Sequence, residues 1–150
     1  MEVYMGLVTD APYHKLCYDI IGAAMFVHNR QGPGHREKLY QRSLTARLHD
    51  IGLKVEEEVR VEIDFEGRPV GLLYLDHLVE DVVIVEDKAF SHMLTNEDIA
   101  QVITYLAATG LPVGLLFNFG RRRLEYKRIF PPRKLDGWRD RIERYLWRPK

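Results

Sequence analysis

The 150-residue chain reads as a single α/β domain with a mixed sheet covered by helices on both faces. Three observations predict this. Two stretches of helical periodicity lead the chain. Three runs rich in β-branched residues follow, separated by tight turns. A third helical stripe then stands between the last of these runs and two further short apolar segments. Strands as apolar as VVIVED and VGLLFN leave no wet face, so helices must cover both sides of the sheet.

Each element has its own signal. From about Tyr13 to Asn29, Leu16, Ile20, Ala23, Ala24 and Val27 recur at three-and-four spacing, one face of a helix. RQGPG breaks it, with Pro33 between two glycines. From about Arg36 to Asp50 the stripe resumes at Leu39, Tyr40, Leu44 and Leu48, and Gly52 stands where a helix end favours positive φ. VEEEVRVEIDF alternates, which puts Val55, Val59, Val61, Ile63 and Phe65 on one face of a strand. EGRP turns the chain into Val70 to Leu78, and a second turn leads into Val82 to Lys88, completing a three-stranded meander. Asn96 to Ala108 carries Ile99, Val102, Ile103 and Leu106 on one stripe, with Thr95 as N-cap and Gly110 just past the end. Val113 to Asn118 and Leu124 to Phe130 read as strands. Beyond Pro131-Pro132, Leu135 to Trp147 reads as an amphipathic helix with Trp138, Ile142, Tyr145 and Leu146 on its apolar side.

Composition narrows the function classes. Hydrophobic content of 46% and charged content of 29% belong to a soluble folded protein. The single cysteine, Cys17, forms no internal disulfide and reads as a buried apolar filler, so a reducing, cytoplasmic setting is expected. No apolar run approaches the roughly 20 residues that span a bilayer, and MEVYMGLVTDAPYHK lacks the pattern of a secretory leader; no membrane partner is expected. The zero net charge hides an asymmetry. Arg121 to Lys150 holds 12 basic and 4 acidic residues, and the first 120 carry the compensating acidic excess. A basic stretch with an interleaved tyrosine, RRRLEYKR, suits a polyanion such as nucleic acid, although a solvated face explains most charge runs. The overall pI of 7.0 argues against indiscriminate binding.

The run Val83-Ile84-Val85-Glu86-Asp87-Lys88 ends an apolar strand in three charged residues. Residues two apart share a face, so Glu86 and Lys88 project together while Asp87 points away. Asp76 ends GLLYLD, and a hairpin brings its carboxylate beside Glu86. Two carboxylates so close repel unless a hard cation such as Mg²⁺ or Mn²⁺ lies between them. A lysine beside that site can orient water or offset charge on a phosphorane-like transition state. Taken alone, the pattern also fits an exposed ion pair at a fraying strand end, contributing about 0 to 1 kcal/mol.

Two further features join it. GHREKLY places Glu37 in the first turn of the second helix, where an acid could join the cluster or simply complement the helix dipole. Gln101 and Tyr105 lie one turn apart on the third helix, an amide and a phenol able to hold a phosphate or water.

GHREKLY matches the motif of the GxxExxY protein family, a branch of the PD-(D/E)xK nuclease-like superfamily, and LPVGLLFNFGRRRLEYKRI resembles that family's characteristic ending. The resemblance covers about Tyr13 to Pro132. It implies a restriction-endonuclease-like αβββαβ core; the basic helical extension expected over 133–150 lies beyond the shared region. It implies that Asp76, Glu86 and Lys88 are the D…ExK residues, that Glu37 is the helical acid, and that Gln101 with Tyr105 forms a QxxxY signature. The function it implies is a metal-dependent nuclease acting on nucleic acid, DNA foremost. Asp76, Glu86 and Glu37 would hold Mg²⁺ or Mn²⁺, and Arg121, Arg122, Arg123, Lys127 and Arg128 would grip flanking phosphates. The alternative is a catalytically silent nuclease-like fold serving as a binding module. Asp87, in a strand covered on both faces, and His77, beside Asp76, require partners. The six histidines form no HExxH, one cysteine builds no zinc set, and neither GxxxxGK[ST] nor GxSxG occurs. A homodimer is the commonest oligomer for a soluble protein of this kind.

Overall fold

A computed structural model describes residues 13–132 of the chain. The elements are α1 (His14–Gln31), α2 (Glu37–Asp50), β1 (Val55–Phe65), β2 (Arg68–Val79), β3 (Val83–Lys88), α3 (Asn96–Thr109), β4 (Val113–Asn118) and β5 (Glu125–Ile129). All agree with the sequence reading to within two residues at each end. The helix expected over Leu135 to Trp147 lies outside the described residues.

The sheet runs in the order β1-β2-β3-β4-β5. The meander is antiparallel, β3 and β4 are parallel, and β4 and β5 are again antiparallel. A parallel pair needs a crossover, and α3 supplies it. One face of the sheet buries Val83, Val85, Leu115 and Phe117 against α1 and α2; the other buries Leu78, Ile84 and Leu116 against α3. Helices on both faces explain why β3 and β4 are apolar throughout. Cys17 is fully buried in the α1–α2 layer, as the filler reading expects.

Local chemistry fixes the ends of α3. Thr95 and Asp98 form a reciprocal capping box, and Gly110 takes the left-handed conformation just beyond the helix. The helix then sinks close to β4: a Cβ added at Gly114 would stand 2.6 Å from Val102 Cγ1. That close approach brings Gln101 and Tyr105 down toward the ends of β3 and β4.

The structure corrects one expectation in β1. Val55, Val59, Val61, Ile63 and Phe65 share a parity but not a face. Val55 packs with the α1–α2 layer, Val59, Val61 and Ile63 pack with the α3 layer, and Phe65 is exposed. The cause is Glu58, whose φ of 51° breaks the alternation, and no ladder pair forms between it and Asp76 on β2. The break is mirrored in β2, where Leu75 and Leu78, three apart, both face α3. The hairpin therefore swivels at Glu58 and Asp76.

Candidate active site

Regular pairing of β2 with β3 stops at His77 opposite Val85. One step further the backbone N–H of Asp76 donates to Glu86 Oε1 at 3.0 Å, and the N–H of Asp87 donates to Asp76 Oδ2 at 2.8 Å. Each carboxylate thus takes over a main-chain donor that a continued ladder would have satisfied. The swivel at Glu58 frees Asp76 to do this. The pair lies at the C-terminal end of β3, one of the two parallel strands, and open α/β sheets bind ligands beyond such strand ends.

Burial sets the electrostatics. Glu86 is 3% exposed; burial, and then the negative charge of Asp76, push its pKa up to about 9. Asp76 is also raised, first by burial and then by Asp87. Glu37, at the first position of α2, is exposed as a residue, yet partial burial of its carboxyl and the charge of Asp76 raise its pKa, with Lys88 opposing. Tyr105 is raised by burial and then by Glu86, while the hydrogen bond from Gln101 opposes. Gln101 Nε2 lies 3.0 Å from the Tyr105 hydroxyl. These mutual influences place Glu37, Asp76, Glu86, Lys88 and Tyr105 in one electrostatic neighbourhood, contributed by α2, β2, β3 and α3.

The donor set suits a hard divalent ion. Among the described residues no three His, Cys, Asp or Glu side chains are grouped to hold a metal between them. Mg²⁺, however, is commonly held through one or two carboxylates, with water and substrate phosphate filling its other positions. Asp76 and Glu86 are two adjacent hard oxygen donors whose repulsion such an ion would relieve, so the residues present fit it.

On the reverse face lies a group that sequence reasoning left without an account. Asp87 and His77 are both fully buried, and His77 Nε2 meets Asp87 Oδ2, while His77 Nδ1 lies 3.2 Å from Thr45 Oγ1 on α2. Burial lowers the His77 pKa, but the charge and hydrogen bond of Asp87 outweigh it, so the net direction is up. Asp87 Oδ1 is buried with no partner. His77, through Oδ2, is the partner that Asp87 requires in a doubly covered strand. Its parity gave the signal: His77 and Asp87 each follow a site acid and point to the opposite face.

A second overlooked group fixes the chain as it leaves Lys88. Asn118 Oδ1 accepts from the N–H groups of Phe90 (2.9 Å) and Gly120 (3.1 Å), and its Nδ2 donates to the His92 carbonyl (2.9 Å) and Glu125 Oε1 (3.2 Å). Glu125 in turn accepts from the N–H of Leu94, and the N–H of Phe119 donates to the Lys88 carbonyl at 2.8 Å. A Cβ at Gly120 would stand 2.4 Å from the Phe90 carbonyl oxygen, so only glycine fits. Tyr40 stacks on Phe119 with ring centroids 4.8 Å apart, donates to the Gly32 carbonyl at 2.5 Å, and accepts from the N–H of His35. In GHREKLY, then, Gly34 (φ 102°) and Tyr40 shape and anchor the loop that presents Glu37.

The basic residues expected to form one grip are divided. On β5, Arg128 pairs opposite Leu115, on the α1 side, and contacts His14 at 3.3 Å; Lys127 pairs opposite Leu116, on the α3 side. Arg121 lies 3.9 Å from Glu125. Arg122 and Arg123, on the turn between β4 and β5, are exposed. Strand alternation sends Lys127 and Arg128 to opposite sides of the sheet.

Residues 14–129 match the family model of the PD-(D/E)XK nuclease superfamily. The chain belongs to the PD-(D/E)XK nuclease superfamily. Asp76, Glu86 and Lys88, the residues the sequence suggests as a D…ExK set, stand within the matched span. No curated protein matches the chain. The crystal structure of SSO0001 is similar in fold, with 17% identity and a TM-score of 0.51 over 63% of this superfamily member and 50% of SSO0001. The chain thus matches half the length of that protein. No described helix is long and apolar enough to cross a membrane.

Proposed function

We propose that the chain is a metal-dependent nuclease that hydrolyses phosphodiester bonds, with DNA as its substrate. The observation that carries this reading is the Asp76–Glu86 pair, two carboxylates crowded at a strand end with both pKa values raised. Such an arrangement costs stability above the ordinary carboxylate range, and a bound cation would offset that cost. Membership of a nuclease superfamily whose enzymes generally use divalent metals supports it.

Asp76 and Glu86 would hold Mg²⁺ or Mn²⁺ directly, with Glu37 assisting through water from the rim. The ion would supply Lewis acidity and a water of lowered pKa. The Lys88 ammonium, whose positive charge already acts on Glu37, is suited to orienting the attacking water or offsetting charge on the transferring phosphoryl oxygens. Gln101 and Tyr105, hydrogen-bonded to each other on α3, would steady the scissile strand through donors aimed at its phosphate.

A second reading, the silent binding module, draws support from the exposure of Glu37 and from the two-carboxylate donor set. The experiment that separates them is incubation of single-stranded, duplex and branched DNA with Mg²⁺ or Mn²⁺, using wild type, Glu86→Ala and Lys88→Ala. Wild type is expected to cleave, and each variant to lose a factor on the order of 10² to 10³. Cleavage that persists in both variants overturns the nuclease assignment. Calorimetric Mn²⁺ binding that is absent in wild type favours the module.

A further inference from the structure

We propose that a basic groove on α2, beside the Glu37 and Gln41 flank of the helix, is a binding site for the sugar-phosphate backbone of a nucleic-acid strand; this deepens the nuclease reading and rests on it. The groove measures about 620 Å³ and is lined by His35, Arg36, Lys38, Leu39, Arg42 and Ser43, among others. That volume is within the range of sites that take ligands of nucleotide size.

Its position follows from the rotation of α2. Gln41 Nε2 donates to the Asp76 carbonyl at 3.2 Å, so the flank carrying Gln41 and, one turn earlier, Glu37 faces the site. Lys38 and Arg42 are the next residue after each, rotated by about 100° on the helix, and therefore border it. Arg36, the extended N-cap residue just before Glu37, lines the same groove. A strand crossing the Asp76–Glu86 pair runs onto this flank as it leaves.

The charge is available. Among the described residues Arg36 and Arg42 form no ion pair. Lys38 lies 3.0 Å from Glu58, but both side chains are about half exposed, and such a pair is weak enough for a phosphate to displace. Guanidinium groups match phosphate oxygens two at a time, and the hydroxyl of Ser43 adds a neutral donor. By contrast, Arg128 is turned toward His14 and Arg121 toward Glu125. A continuous strand, unlike an isolated acidic peptide, joins this groove to a phosphate beside Lys88.

The test is fluorescence anisotropy with labelled single-stranded and duplex DNA, in a chelator to prevent cleavage, across a range of salt. Arg36→Ala/Arg42→Ala is compared with wild type and with Lys54→Ala, which lies on the exposed Lys54–Asp81 pair at the opposite end of β3. The double variant is expected to bind more weakly. Its slope of log affinity against log salt should fall by about 1.4 on single strands or about 1.8 on duplex, two contacts at about 0.7 or about 0.9 each, while Lys54→Ala keeps the wild-type slope. Folding of each protein is checked by thermal unfolding. A wild-type slope in the double variant overturns the groove, and continued metal-dependent cleavage by that variant then leaves the nuclease reading intact. Absence of wild-type DNA binding overturns the groove as well. Polyglutamate binding that is stronger than DNA binding and lost in the double variant would assign the groove to an acidic peptide instead.

Discussion

The two faces of the sheet at the end of β3 treat the same charge in opposite ways. Toward α3, Asp76 and Glu86 set one carboxylate against another, and burial raises both pKa values. Toward α2, the equally buried Asp87 meets an imidazole that Thr45 holds from behind. One face leaves its carboxyls without a cationic partner among the described side chains; the other supplies its own. Adjacent residues of one strand thus separate chemistry from support. The supporting face also reaches the chemical one, since the N–H of Asp87 donates to Asp76 Oδ2.

The comparison breaks most visibly in activity. Glu86→Gln keeps the shape and removes the ionisable oxygen ligand, so cleavage should fall by on the order of 10³ while the thermal midpoint at pH 8 stays equal or rises, because the folded protein no longer holds a carboxyl away from its ordinary ionisation. A loss of both activity and stability would mean that the two faces do not differ in kind. Asp87→Ala should do the reverse to stability. Leaving His77 buried without its carboxylate should cost about 3 to 5 kcal/mol in denaturant unfolding, and a cost near zero would deny the pair its supporting role.

The pH dependence sharpens the contrast. A carboxyl whose folded pKa is raised stabilises the protein below its unfolded pKa and loses that contribution as pH rises through the folded value. For Glu86 that window runs from the ordinary glutamate range up to about 9. In chelator the midpoint should therefore fall between about pH 5 and pH 9, saturating Mn²⁺ should flatten the fall, and Glu86→Gln should reduce it. The raised Asp76, Glu37 and His77 act in the same direction and leave a residual slope. A midpoint that climbs across this range would contradict the assignment. The smallest effect is expected from Thr45→Val, about 1 kcal/mol for one hydrogen bond to His77, read in the same unfolding assay with cleavage nearly unchanged.

Much of this was legible in the residues. Periodicity located all eight described elements, and the parity of Glu86, Asp87 and Lys88 correctly divided them between faces. The turn at Glu80 and Asp81, both at positive φ, fixed the register that brings Asp76 to Glu86. The swivel at Glu58 was not legible, because nothing in an alternating VEEEVRV announces one residue in the left-handed region. Asn118 read as the last residue of an apolar strand; its four hydrogen bonds go to segments up to 28 residues away in sequence, which a local pattern does not encode. The division of the basic residues on β5 was hidden for a similar reason. Charge density along the chain counts arginines without the alternation that sends Lys127 and Arg128 to opposite sides.

The left-handed Glu58 has one more effect. Among the described residues β1 has no neighbour on its outer side, and a straight, eleven-residue border of unpaired amides invites a second copy to add on. Bending that border in the middle, and dressing it with Glu56, Glu57, Glu58, Arg60, Glu62 and Asp64, makes such docking unfavourable. The residue that breaks the ladder opposite Asp76 thereby also blunts an open sheet edge.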